Sequence, residues 1–182
     1  AAFEAFKSGA YTMRVENSSK SWATAYDFPA LNDGHVVKKL MPDGGIANGQ
    51  SFVMNLRREK FSDIRVRQAL SYLFNFEWSR ESLFYGQYAR INSFWENSDL
   101  AATGMPSAEE MVLLSPLEGD LPAGVLTKAA VMAPVSGTKP MDRANLRKAN
   151  ALLDEAGWPV GDDGLRRNSN GNTLKIEIIE DS

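Results

Sequence analysis

The chain of 182 residues holds one histidine and no cysteine, so acid–base or nucleophilic chemistry would have to run on carboxylates and hydroxyls. Thiolate catalysis, cysteine metal sites and disulfides are excluded. His35 stands beside Gly34 where a loop meets an expected strand; a metal ligand or general base needs partners, so it reads as a surface histidine. Glu16, Asp27 and Asp63 are the carboxylates on which a hydrolase would rely, but Asp63 is also placed to cap a helix and the other two read as exposed. The segments "DDG" and "NSNG" lie near one another, yet Asn168 and Asn170 are neutral and no glutamate stands at the twelfth position of a calcium loop. "MPDGG" and "GGIANG" lack the Gly-Lys-Ser/Thr that completes a phosphate loop. No metal or cofactor site is read.

The excess is in aromatic residues: Trp22, Tyr26, Phe28, Trp78, Tyr85, Tyr88, Phe94 and Trp95, most of them assigned to the core. The stretch "INSFWENS" differs, because Asn92, Ser93, Asn97 and Ser98 interleave with Phe94 and Trp95 in a loop that follows a helix. An aromatic pair with convergent amides suits a ligand pocket. The other reading is a packed loop that satisfies its own backbone.

The elements that must position these residues are mixed. "AAFEAFKSGAY" predicts a short helix stopped at Gly9, and "YTMRVE", "HVVKKL" and "QSFVMNL" predict strands. "PSAEEMVLL" carries Ser107 and Glu110 at capping-box spacing, and "DRANLRKANALLDEAGWP" aligns Leu146, Ala149, Leu153 and Ala156 before stops at Gly157 and Pro159. The Pro/Gly-rich stretch from Glu118 to Pro140 is a long loop, of the kind that often covers a site. A hairpin is expected over residues 161–179, with Asn170 and Gly171 as its turn pair, and "TLKIEIIEDS" alternates as a strand. That pattern stops without a following partner, so the chain reads as a piece of a longer protein from which any targeting segment is absent or removed.

"KFSDIRVRQALSYLFNFEW" mixes basic and apolar residues on one helix. Val66, Leu70, Leu73 and Phe74 form its apolar stripe, which leaves Arg65 solvated or paired with a nearby carboxylate and Arg67 flanking the stripe. A second helix around "RESLFYG" would complete a helix-turn-helix, but it offers no cation after Arg80 to read base edges. Net charge is −3, with 24% charged residues, so no positive field draws the chain to nucleic acid.

The stretch "FVMNLRREKFSDIRVRQALSYLFNFEW", a strand with Asn55 followed by Phe61, Asp63, Arg65, Val66, Arg67, Gln68, Ala69 and Leu70, resembles the signature segment of the oligopeptide- and dipeptide-binding solute receptors of ABC importers. "AFEAFKSGAYTMRVEN", "KANALLDEAGW" and "GLRRNSNGNTLKIEII" resemble further segments of that family in the same order. "ENSSKSWATAYDFPA" and "INSFWENSDLAATGMPS" are most similar to the subgroup related to the microcin-uptake and oligopeptide receptor of enteric bacteria. The resemblance implies an α/β portion of a two-lobed binding protein with a mixed sheet and flanking helices, acting as a periplasmic monomer with no enzymatic activity. Residues 1–50 would end the first lobe; residues 51–182 would hold the crossing strand and the start of the second. The implied partners are a peptide or peptide-like ligand and a membrane permease, with no nucleic acid. Asn55, Phe94, Trp95 and Asn97 match positions that approach the cleft, while the family's main ligand anchor lies beyond the matched segments. A carboxylate-dependent hydrolase is the alternative.

Overall fold

The structure is a computed structural model and describes residues 1–180. In chain order its helices are α1 (Ala2–Lys7), α2 (Ser19–Thr24), α3 (Pro29–Asn32), α4 (Glu59–Ser62), α5 (Ile64–Leu73), α6 (Phe76–Ser82), α7 (Ala108–Leu114) and α8 (Arg143–Glu155), with a 3-10 helix at Ser115–Asp120 after α7. The chain divides into two units, residues 1–47 with 78–130 and residues 48–77 with 131–182.

The mixed sheet expected from the sequence is not formed among the described residues. They contain two isolated antiparallel bridges, Val160 with Arg166 and Arg167 with Thr173. The strand-like runs at 11–16, 35–40, 50–56 and 174–178 form no ladder among the described residues; Met54 and Leu174 pack against the core, while other apolar side chains stay in the open, with Val53 90% and Ile178 65% exposed. Alternation of side chains says that a face is to be covered, not what covers it. Asp181 and Ser182, the end of the last such run, lie outside the described residues. The expected hairpin survives as a tight turn: Gly171 N–H donates to the Asn168 carbonyl at 2.9 Å, Asn168 N–H donates to the Asn172 carbonyl at 3.0 Å, and Gly171 takes a φ of +79° that favours glycine.

In the first unit, α1 ends where Gly9, at φ +79°, lets Ala10 N–H reach the Ala5 carbonyl at 2.9 Å. Phe6 from α1 and Phe28 from the start of α3 are buried edge to face, 6.4 Å apart, and Phe3, Tyr11, Tyr26 and Trp22 pack around them. The capping box of α7 forms as its spacing requires, Ser107 Oγ accepting from Glu110 N–H and the Glu110 carboxylate accepting from Ser107 N–H.

The second unit has a denser core, made where α5 meets α8. Phe61, Val66, Ala69, Ala149, Leu153 and Trp158 are buried together. Ala69 and Ala149 are fully buried, and residues this small let two helix axes approach closely. The stripe on α5 is therefore corrected: Val66 and Ala69 face the core with Leu70 beside them, while Leu73 and Phe74 remain about half exposed because the helix ends at Leu73. On α8 the buried face is Asn145, Ala149 and Leu153 rather than one that begins at Leu146. Asn145 is tolerated there because its amide donates to the Val135 carbonyl and Ser136 Oγ, both at 2.9 Å. Asp142 caps α8 by accepting from Ala144 and Asn145 N–H, and the Asn145 bond, with that from Gly137, holds its carboxyl below the usual carboxylate range. At the other end Gly157 turns at φ +83°, so Trp158 N–H reaches the Leu153 carbonyl at 2.9 Å and the indole folds back onto the helix pair.

The helix after α5 is also shifted from its expected place. It spans Phe76–Ser82, and Leu83 and Phe84 lie past its end, before Tyr85 at φ +53°. Of the two arginines on α5, Arg65 pairs with Asp63, Nη2 to Oδ2 at 2.6 Å, while Asp63 Oδ1 also caps the helix through Arg65 N–H at 2.8 Å. The Arg65 side chain, then its backbone N–H, lowers the Asp63 pKa. Arg67 makes no carboxylate pair among the described residues; its Nη1 donates to the Phe61 and Ser62 carbonyls at 2.6 and 2.9 Å and so closes the end of α4. Arg67→Gln is expected to cost about 1–2 kcal/mol, because bonds from a charged donor are lost and two carbonyls are left to water. Hydrogen exchange of the α5 amides in the full-length protein measures this, and unchanged protection would mean that the guanidinium contributes nothing to closing the helix end.

Candidate ligand-contact loop

Residues 92–102 form a loop held by its own polar groups. The Glu96 carboxylate accepts from Asn92 and Ser93 N–H at 2.9 and 3.2 Å, and Ser93 Oγ accepts from Trp95 and Ala102 N–H, both at 3.2 Å. Ser98 Oγ donates to the Trp95 carbonyl at 2.6 Å. A second segment is tied to it: Ala47 N–H donates to the Glu96 carbonyl, and Asn97 Nδ2 donates to the carbonyls of Asp43 and Gly45 at 2.9 and 2.7 Å. Asn97 sits at φ +64°, a left-handed conformation that asparagine tolerates better than most residues. The Gly-rich "MPDGG" segment is thus one side of a clamp as well as a turn.

With the backbone bonded internally, the aromatic side chains are left over. Phe94 is 98% exposed and Trp95 50% exposed. Phe94, Trp95 and Asn97 therefore share one fastened loop of the first unit, but Asn97 has committed both amide hydrogens to the clamp. Asn55 belongs to the second unit, where its Oδ1 accepts from Arg57 N–H and Nε at 3.2 and 3.3 Å. Sequence reasoning missed Glu96 as the loop's organiser. The signal for Glu96 was its spacing, three and four residues after the two N–H groups it accepts from.

The residues of the hydrolase alternative have structural partners. The Glu16 carboxylate, 6% exposed, accepts from Ser18 N–H at 3.0 Å, from Arg14 Nη2 at 3.1 Å and from the Tyr26 hydroxyl at 3.2 Å, and the Ser18 bond leads in lowering its pKa. Asp27 accepts from Asn32 Nδ2 at 3.2 Å. His35 is exposed. Among the described residues no group of three or more His, Cys, Asp or Glu is placed to hold a metal ion. Two shallow depressions, of about 200 and 220 Å³, are lined by Glu118 with Leu121–Thr127 in the first unit and by Arg58, Glu59, Lys60, Trp158, Asn168, Asn172 and Thr173 in the second.

All of residues 1–182 match the model of the bacterial extracellular solute-binding proteins, family 5 Middle. The chain belongs to this family. Among its relatives is a protein of Agrobacterium fabrum named probable peptide-binding protein YejA, 40% identical over 99% of this chain and 30% of the relative. The Escherichia coli protein YejA is 39% identical over 98% of this chain and 29% of its own length. A second Agrobacterium fabrum protein, named peptidoglycan-binding protein YepA, is 34% identical over 97% of this chain and 30% of the relative. This family 5 chain thus spans about 30% of the length of the curated relatives it matches. None of its described helices is long and apolar enough to cross a membrane.

Proposed function

We propose that this chain is part of the substrate-binding component of an ABC importer, which captures oligopeptides or peptide-like compounds between two lobes and delivers them to a membrane permease. The observation that carries the reading is the family match along the whole chain, joined to a relative named for peptide binding. A relative named for peptidoglycan binding supports a ligand class that reaches to peptide-like material. On this reading the protein works in the periplasm as a monomer, closes over its ligand by hinge motion and releases it chemically unchanged. Residues 1–50 end one lobe, and residues 51–182 hold the crossing strand and the start of another. The unpaired runs at 50–56 and 174–178 are strands of a mixed sheet whose partners come from the rest of the protein. The exposed apolar side chains of Phe52, Val53 and Ile178 support this, since such surfaces otherwise invite aggregation.

One pair of samples tests the proposal. Titrating tri- to pentapeptides into the full-length protein should give saturable heat at about micromolar Kd, roughly −8 kcal/mol, with the peptide recovered intact. The 182-residue chain alone should give none, because part of a cleft cannot desolvate a ligand. Hydrogen exchange at 50–56 should be slow only in the full-length protein. Cleaved peptide would replace the binding reading with an enzymatic one, absence of heat from the full-length protein would remove peptides as the ligand, and equal exchange at 50–56 would defeat the sheet.

A further inference from the structure

The strap from Val37 to Met41 in the first unit has one internal anchor that is not apolar. It is bracketed by Val36 N–H on the Ala30 carbonyl at 2.9 Å and by the Asn97 clamp on Asp43. Between these points Val37, Leu40 and Met41 are exposed. Lys38 is also exposed, but its ammonium lies 4.4 Å from the Trp22 ring centroid and 5.3 Å from that of Tyr26, and donates to the Trp22 carbonyl. The two rings stand 5.7 Å apart at 53° and form a corner, each ring partly exposed. Tyr26 is fixed in it by the bond from its hydroxyl to Glu16. Lys7 differs, because it pairs with Glu4 at 3.0 Å, and Arg14 is paired with Glu16; Lys38 makes no ion pair among the described residues.

We propose that the Trp22–Tyr26 corner is a binding site for a primary alkylammonium group and that Lys38 is its built-in competitor. An ammonium is attracted by the negative faces of two aromatic rings and shares its hydrogens with a carbonyl, and Lys38 realises that arrangement within the chain. The latch is weak. At an exposed corner a cation on a ring is worth about 0.5–1 kcal/mol, and nothing apolar on the strap resists its release. A ligand that brings an ammonium and any additional contact therefore displaces Lys38, and the strap between the two brackets swings free. The shared chemistry is the ammonium on an alkyl chain, whether a lysine side chain of a peptide or a free polyamine supplies it. This site is independent of peptide capture at the 92–102 loop, and either can fail without the other.

The test uses the full-length protein with ¹⁵N-labelled tryptophan, the Trp22 indole resonance being assigned by Trp22→Phe. Titration with n-butylammonium chloride at constant ionic strength should shift that resonance saturably in Lys38→Met, at a Kd about three- to sixfold below wild type, since the competitor no longer occupies the site. n-Butanol should not reproduce the shift. Lys38→Gln serves if the methionine variant misfolds, and the remaining indole resonances report the fold. Nα-acetyl-lysine amide and putrescine then distinguish the two sources, the tighter of them naming the natural one. No saturable shift in either variant, an unchanged Kd, or an equal response to n-butanol would overturn the proposal.

Discussion

Trp158→Ala is expected to destabilise the second unit by about 3–5 kcal/mol, the range for deleting a buried tryptophan from a packed core. The indole is 7% exposed and belongs to the cluster with Phe61, Val66, Ala69, Ala149 and Leu153. Two of those partners are alanines, which cannot move in to fill the space, so most of the cavity would persist. The same residue also ends α8 through its N–H on the Leu153 carbonyl, and its own carbonyl accepts from Arg166. Arg166 in turn donates to Asp154 at 2.6 Å and to Asn150 Oδ1 at 2.8 Å, so the indole's pocket and the helix's polar side are fastened at one point. Total stabilities are about 5–15 kcal/mol, and a loss of this size leaves little. Exchange of the α5 and α8 amides in the full-length protein reads the loss unit by unit. Trp158→Phe should lose less than half as much; a Trp158→Ala protein within about 1 kcal/mol of wild type would show that the helix pair closes without the indole.

Phe94→Ala and Trp95→Ala should each weaken peptide binding by the full-length protein by about 1–3 kcal/mol, the size expected of aromatic anchors. Neither should move Tm by more than a degree or two. The reason lies in the division of labour within the loop. Glu96, Ser93 and Asn97 satisfy the backbone and tie it to Asp43 and Gly45, so the two rings are not needed to hold the loop's shape. Phe94, 98% exposed, has almost no burial to lose. A flat aromatic surface on a stiff support can pack against varied side chains at small entropic cost, which suits a receptor with a broad ligand range. Asn97→Ala is the contrasting variant: it removes two bonds and places alanine at φ +64°, so it should lower both Tm and affinity. A fall of several degrees in Tm for Trp95→Ala with affinity retained would make Trp95 a packing residue.

The features legible in the sequence were those whose cause is local. The α7 capping box, the stop of α1 at Gly9 and the end of α8 at Gly157 depend on residues within one turn of each other, and they form as their spacing demands. The family resemblance was legible for a related reason, since it rests on motif order rather than on contacts. The strands were not. "QSFVMNL" has the composition of a covered strand, but pairing depends on distant chain, and Val53 stays 90% exposed. The α5 stripe was read from its largest apolar residues, whereas the α8 contact selects the smallest, Ala69, because close approach needs an absence of side chain. At the loop, the sequence displayed Asn97 as a ligand-facing amide; its partners Asp43 and Gly45 lie more than 50 residues earlier, and no spacing rule connects them.

The meeting of Ala69 and Ala149 across α5 and α8 has a consequence in time. The two positions are about 80 residues apart, and at roughly 5–20 residues per second α5 leaves the ribosome some 4–16 s before its partner. Ten residues are too few to hold a helix in water unaided, below the roughly 12–15 at which isolated helices become even marginal. During that interval Val66 and Leu70 lack the α8 face against which they pack in the fold. The delay keeps the segment threadable, so the nascent chain stays open to chaperone binding or to passage through a narrow channel until α8 arrives and commits it to the fold.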